Sequence, residues 1–407
     1  MTNSIFDMNN MLFRSMFVLS GFGKLKYTFD SQRETDELMR KLAMDISFLI
    51  RLINPSRVIF TRDDKSWRKG IFIEENEGYK GQRKLSKFIN WDNIYKIYDE
   101  FMDIVVDNGM IVSKIATAEA DDLIALWTDE LLYNQKQHVV AVSGDEDIRQ
   151  LVKKSVDDKG KPIFATVFNP IMQGKNPSRK LYVSPNYFNE WILQEEEADI
   201  WNMNAAIDVD KNDFRRIRDT EKIRVEETDG NLIALKKIFC GDDGDNIPAI
   251  YTWMTKTAKG DDKEVRITKA KYEKILESLR NSPGERIDCW DLIDRKDKIS
   301  ESITKIAKQK LPFKIEDRLE RQIKLVVLNK KLFPSSIVEK FEETKGEELI
   351  KPRPEIGNIN MNVMLQGTRY VKTSKGGTGQ GTESSIFKET DRLSNKFINL
   401  FNNKQLF

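Results

Sequence analysis

Short apolar, β-branched runs alternate along the first 150 positions with longer stretches whose apolar residues recur at helical spacing. Ser4-Ile5-Phe6-Asp7, Arg57-Val58-Ile59-Phe60-Thr61, Met110-Ile111-Val112 and Val139-Val140-Ala141-Val142 read as strands. Residues 34–53 and 118–132 read as helices, the second with Leu123, Leu126 and Leu131 among its apolar positions. Strands separated by helix-length segments predict an α/β fold with a mostly parallel central sheet and flanking helices. A further helical stretch, 231–239, runs into a turn rich in Gly and Asp. No internal repeat is visible.

Carboxylates collect where these elements meet. Asp7 closes the first run, Asp63 follows the second, and Asp145-Glu146-Asp147 follows the fourth, while Glu119, Asp121 and Asp122 open the helix at 118–132. In an open parallel sheet the ligand crevice lies outside the carboxyl ends of the strands, which is where these acids point. A helix start also favours negative charge. Taken singly, an Asp at a strand end is more often a turn or cap residue. Crowded together, such acids repel one another unless a cation sits among them. Asp64 competes with Asp63 for the same role; Asp63 is preferred because it follows its strand more closely.

Composition narrows the metal. A single histidine, His138, and two cysteines, Cys240 and Cys289, cannot assemble a nitrogen and sulfur zinc site or a disulfide framework. Oxygen-seeking ions, magnesium or manganese, remain. No apolar run reaches the roughly 18 residues that span a bilayer, and Met1-Thr2-Asn3-Ser4 does not start a signal peptide, so a soluble, cytoplasmic protein is expected. The net charge of +2 over 407 residues does not announce nucleic-acid binding, so any basic surface must be local. One stretch qualifies: positions 65–87 hold seven basic residues against three acidic ones, with Trp67, Phe72 and Tyr79 interleaved. Such a stretch can follow a phosphate backbone and stack an unpaired base.

Four motifs occur in one order: Phe6-Asp7-Met8-Asn9-Asn10, Ala118-Glu119-Ala120-Asp121-Asp122-Leu123, Ser143-Gly144-Asp145-Glu146-Asp147 and Gly241-Asp242-Asp243-Gly244-Asp245-Asn246-Ile247-Pro248. Tyr79-Lys80-Gly81-Gln82-Arg83 lies between the first and second. The set resembles the flap endonuclease/5′-nuclease family over roughly residues 1 to 340, nearest to its bacteriophage branch of T-even RNase H type. The resemblance implies a PIN-like nuclease core, two magnesium ions for which manganese should substitute, and cleavage of DNA and RNA/DNA hybrids at 5′ ends, flaps and RNA primers. It implies that Asp7, Asp63, Glu119 and Asp121 surround one ion. Asp145, Asp147, Asp242 and Asp245 hold the other, directly or through water, with Asp122 between. Glu146 and Asp243 match no acidic position of the family.

By the same resemblance, residues of about 65–90 form the helical arch that admits single-stranded 5′ ends, and Lys80 and Arg83 act on the scissile phosphate. A fixed cation there stabilises charge that develops in the transition state. Arg68 and Tyr79 are candidate substrate contacts. The turn at 241–248 corresponds to a helix-three-turn-helix element that grips duplex DNA. After it the chain departs from the family's glycine-rich hairpin, which puts a monovalent-ion site there in doubt, and Lys256 and Lys269 are candidate duplex-phosphate contacts.

The organisation expected is a nuclease core at 1–198, a helical DNA-binding region at 199–350, and a linker and tail at 351–407. Residues 199–229 have no assignable role. The segment Gly376-Gly377-Thr378-Gly379-Gln380-Gly381-Thr382 reads as a flexible linker; the amphipathic segment 386–401 and the end Lys404-Gln405-Leu406-Phe407 read first as a helix packing back on its own domain, and otherwise as a dock for a sliding clamp or single-strand binding protein. A monomer is expected. The rival readings are a PIN-type ribonuclease acting on RNA alone and a non-catalytic DNA-junction binding protein. A haloacid-dehalogenase-like phosphatase is weaker, because Asp7-Met8-Asn9 lacks the second Asp that fold uses.

Overall fold

The computed structural model describes residues 2–20, 27–73, 78–83, 86–173, 177–185, 223–257, 259–350 and 359–370. Strand β1 (Thr2–Asp7) is buried at every position, as a strand covered on both faces must be. Helices α1 (Met8–Leu19) and α2 (Gln32–Ile53) carry the chain over to β2 (Arg57–Thr61), parallel to β1. Ser31 caps α2 through the Glu34 amide, and Asn54 ends it in the left-handed conformation at φ 45°. Helix α3 (Trp91–Asp107) leads to β3 (Ile111–Ser113) on the far side of β2.

The chain then reverses its direction of travel across the sheet. After α4 (Ala120–Asp129) comes β4 (His138–Val142), which pairs with the other edge of β1. Next are β5 (Lys153–Val156), β6 (Pro162–Gln173), β7 (Ser178–Val183) and β8 (Ile223–Glu227), giving the order β3-β2-β1-β4-β6-β7-β8, with β5 paired to β6. All pairings are parallel except β5 with β6 and β6 with β7. The expected mostly parallel sheet with flanking helices is therefore present. Its switch point lies between β1 and β4, the place where open α/β sheets receive ligands. The register sets Asp7 against Thr61 and Phe6 against Val142, so the residues after all three strands leave along one edge.

A second apolar core belongs to α5 (Gly230–Cys240), α6 (Lys269–Leu279), α7 (Lys296–Ala307) and α8 (Ile315–Val326), with Leu235, Phe239, Ile275 and Leu319 at its centre. Between α5 and α6 stands an exposed hairpin, β9 (Thr252–Lys256) with β10 (Asp262–Arg266). The main sheet thus runs to residue 227, past position 198, and the helical core begins at 230. Helix α9 (Ser335–Ile350) returns to the sheet, where Phe341 meets Trp127 edge-on at 5.0 Å. Residues 359–370, within the stretch assigned to linker and tail, pack instead on α2 and α3 through Met364, Leu365 and Tyr370, and include the short helix α10 (Met361–Met364). They do so because these side chains are apolar or aromatic and Glu100 accepts the Tyr370 hydroxyl. The glycine-rich segment at 376–382, the chain end at 404–407 and residues 199–222 lie outside the described residues. Among the described residues, no helix is long and apolar enough to cross a membrane.

Candidate metal centre

Asp7 ends β1 and immediately caps α1, accepting the Asn10 amide at 3.0 Å, while its other oxygen takes the Ser143 hydroxyl at 2.8 Å. Burial pushes its carboxyl up to about 7, and the nearby charges of Asp63 and Asp145 add to the effect. Asp121, on the first turn of α4, is raised well above the carboxylate range by burial, then by Asp145 and Asp7. Asp63 accepts the Ala120 amide at 2.6 Å and the Asn9 side chain, which turns it towards the same group. Its neighbour Asp64 instead accepts the Thr117 amide at 2.8 Å and braces that loop. Asp7, Asp63, Asp121 and Asp145 thus converge at the switch point.

A second group forms beside it. Carboxylate oxygens of Asp147, Asp242 and Asp245 lie within 4.8 Å of one another. Asp147 opens a short 3-10 turn, Asp147–Leu151, and gives its amide to Asp145 Oδ1 at 2.9 Å, which ties the two groups together. Burial raises Asp147 to about 6, partly offset by the ammonium of Lys237. Asp242 and Asp245 come from the turn after α5, closed by reciprocal 2.8 Å amide bonds between Asp242 and Ile247. Gly241 starts this turn at φ 73°, with Ala249 N only 2.5 Å from where a Cβ would stand. Burial alone would raise Asp242, but the Lys237 ammonium holds it below the ordinary range.

Residues 78–83 bridge the two groups. Lys80, at φ 55°, places Nζ 2.5 Å from Glu119 Oε1, and Arg83 pairs with Asp245. Glu119 is the N-cap of α4, and burial would raise it, but Lys80 and Arg68 hold it down. Two expected substrate contacts are corrected here. Arg68 is 1% exposed and lies between Glu119 at 3.0 Å and Asp122 at 2.8 Å, out of reach of any substrate. Tyr79 is 5% exposed, its hydroxyl 3.2 Å from Glu119 and 3.4 Å from Asp245, because its ring joins the helical core. Asp122 is also turned from the cleft: it is fully buried and accepts Trp67 Nε1 at 3.0 Å and the Glu119 amide at 3.1 Å. Its other oxygen faces the Arg68 guanidinium, Nη1 2.8 Å from Oδ1.

Lys256 and Lys269 are exposed, on the hairpin and at the first residue of α6, with Lys256 2.7 Å from Asp262. Sequence reasoning missed Lys237, whose signal was its place in the last turn of a helix five residues before Asp242. It also missed Asn9, Asn10 and Ser143, which orient Asp63, Asp7 and the Gly144 amide. A groove of about 760 Å³ beside Asn10, lined by Phe13, Arg14, Phe17 and Trp91 among others, left no periodic signature.

The donor set fits a hard cation and no other kind. Every candidate ligand is a carboxylate oxygen, and burial together with mutual repulsion raises the proton affinity of Asp7, Asp121 and Asp147, a penalty that a bound cation relieves.

Residues 2–168 match the family model described as 5′-3′ exonuclease, N-terminal resolvase-like domain. No curated protein matches the chain at a significant level. Among solved structures, the chain is similar to a bacteriophage T5 protein co-crystallised with metal ions, at 17% identity and TM-score 0.48 over 86% of this chain and 99% of that one. It is similar to the bacteriophage T5 flap endonuclease in a pseudo-enzyme-product complex with DNA and metal ions, at 16% identity and TM-score 0.47 over 86% and 99%. Human GEN1 in complex with Holliday junction DNA follows at 12% identity and TM-score 0.41 over 89% and 71%.

Proposed function

We propose that the chain, whose residues 2–168 match the 5′-3′ exonuclease N-terminal, resolvase-like family model, is a metal-dependent 5′-nuclease. It hydrolyses phosphodiesters near 5′ ends and flaps of DNA and RNA/DNA hybrids, with RNA-primer removal in phage replication as its setting. The observation that carries this reading is the convergence of two carboxylate groups at the sheet's switch point, bridged by Lys80 and Arg83.

Two magnesium ions, when bound, would activate the attacking water and stabilise the leaving oxygen of a phosphodiester. On this reading Asp7, Asp63, Glu119 and Asp121 would hold one, and Asp145, Asp147, Asp242 and Asp245 the other, the last three supported by carboxylate oxygens within 4.8 Å of one another. Asn9 and the Ala120 amide keep Asp63 facing inwards, and the Ser143 hydroxyl and Asn10 amide keep Asp7 oriented. Lys80 supplies a fixed positive charge at the rim, where the phosphate's negative charge grows. Arg83, more exposed, can move from Asp245 to the nucleic-acid backbone. Lys256 and Lys269 offer contacts for the duplex behind the cut.

The test is cleavage of a 5′-labelled flap and an RNA-primed duplex in magnesium, in chelator, and by Asp145→Asn combined with Asp147→Asn. Cleavage in magnesium only, lost in the double variant, is expected. Activity in chelator, or full activity in the double variant, overturns the reading; cleavage of RNA but never of a DNA flap favours a ribonuclease.

A further inference from the structure

Lys237 stands where an ion would bind. It lies in the last turn of α5, is 14% exposed, and pairs with both Asp147 and Asp242, the second at 2.5 Å. Those two carboxylates and Asp245 form the tight second group. The ammonium therefore touches two of its three members, one from the sheet side and one from the turn after α5. By contrast, Asp7, Asp63, Asp121 and Asp145 form no ion pair among the described residues, their partners being neutral donors such as Ser143, Asn9 and backbone amides; the cations beside them, Lys80 and Arg68, pair with Glu119 instead.

The two groups thus solve the same electrostatic problem differently. Only in the second does one ammonium bridge two carboxylates of the tight cluster itself. An ammonium donates to carboxylate oxygens through the same lone pairs that a divalent ion needs. Two cations a few Å apart in a partly buried site also repel strongly.

We propose that Lys237 is the resident counter-cation of the second carboxylate group, and that a divalent ion enters that group only by displacing it. The inference rests on the metal-dependent reading above. Lys237 is then a positioning residue that sets the affinity of one ion site. It has somewhere to go: a flexible four-carbon stem lets the ammonium swing towards a substrate phosphate once the ion has taken its carboxylates.

The experiment is Mn2+ titration of the full chain without nucleic acid, following free Mn2+ by electron paramagnetic resonance. Wild type should show two steps, the weaker one lost in Asp147→Asn. In Lys237→Met that weaker step should tighten by about tenfold or more, the order expected for removing a unit positive charge a few Å from the ion. Lys237→Arg, which keeps the charge, should leave it weak. Lys237→Gln serves as a second neutral variant should Lys237→Met fold poorly, judged by thermal melting in chelator. Unchanged or weaker Mn2+ affinity in a folded neutral variant overturns the proposal. Absence of any Mn2+ binding by wild type removes the metal-dependent reading and this inference with it, whereas magnesium-dependent flap cleavage by wild type keeps the former standing alone.

Discussion

Arg68 and Asp122 form a fully buried ion pair, Nη1 to Oδ1 2.8 Å, at the point where the segment after β2 meets the start of α4. The guanidinium also holds Glu119 and stacks on Trp67, 4.7 Å from its ring. Removing one partner of such a pair leaves an uncompensated buried charge and costs on the order of 3–5 kcal/mol. Arg68→Met is therefore expected to lower the melting temperature severely, while a substrate-binding arginine would chiefly weaken DNA affinity. Melting curves beside flap-binding curves tell the two apart.

Lys80→Ala should act in the opposite sense. Its ammonium is bonded to Glu119, and if it stabilises the transition state, flap turnover should fall roughly 100-fold or more, with a smaller loss of stability than in Arg68→Met because Arg68 still pairs with Glu119. Single-turnover rates beside equilibrium binding provide the check. Normal turnover with weakened binding would mean that Lys80 only positions substrate.

The raised carboxyl of Asp7 gives a pH signature. A group whose folded pKa exceeds its unfolded value binds its proton more tightly when folded. Its cost to stability is thus absent below the unfolded value of 3.8, grows as pH rises, and is complete above about 7. Asp147, at about 6, contributes in the same direction. In chelator, the wild-type melting temperature should fall between about pH 5 and about pH 8, and Asp7→Asn should flatten the slope. Added magnesium should do the same. A wild-type melting temperature that climbs over this range would contradict the assignment.

Gly241→Ala tests the turn after α5. The new Cβ would collide with the Ile247 carbonyl and lie 2.5 Å from Ala249 N, at a φ that disfavours side chains. A loss of about 1–3 kcal/mol in stability is expected, with weakened binding of duplex and little change for short single strands. Equal loss for both substrates would argue against a duplex role for this turn.

Lys256→Ala and Lys269→Ala should each reduce the salt dependence of duplex binding by a slope of about one without altering turnover. Binding measured across several salt concentrations decides this, and an unchanged slope marks both as solvated lysines.

The parallel strands and their terminal acids were readable because short continuous apolar runs mark β1, β2 and β4 and a period-3.6 pattern marks α2, and because like charges gathered at strand ends are costly unless a cation offsets them. Burial was not readable. Arg68, Tyr79 and Asp122 look like surface groups in a charged stretch, yet a single fold-back onto α4 and the helical core encloses all three. The antiparallel strands β5 and β7 were missed because Lys153–Val156 and Ser178–Val183 are too charged to stand out from loops, whereas the uncharged, apolar β6 between them was legible and overlooked. Lys237 escaped notice because its partners Asp147 and Asp242 lie far apart along the chain and meet only when α5 packs beside the 3-10 turn. The packing of residues 359–370 depends on a pocket between α2 and α3 that no local pattern announces.

The bonds between residues 78–83 and the turn at 241–247 have a practical consequence. Asn246 Nδ2 donates to the Gly78 carbonyl, and the Lys80 amide to the Asp245 carbonyl, each at 2.8 Å. The lysine is thereby anchored by a loop far along the chain, beyond the whole of the main sheet. A fragment ending with the sheet near residue 227 would keep Asp7, Asp63, Asp121 and Asp145 but leave the Lys80 segment without these two bonds. On the nuclease reading proposed above, the smallest working unit would therefore be more than the sheet and would extend through the helices that hold that loop in place.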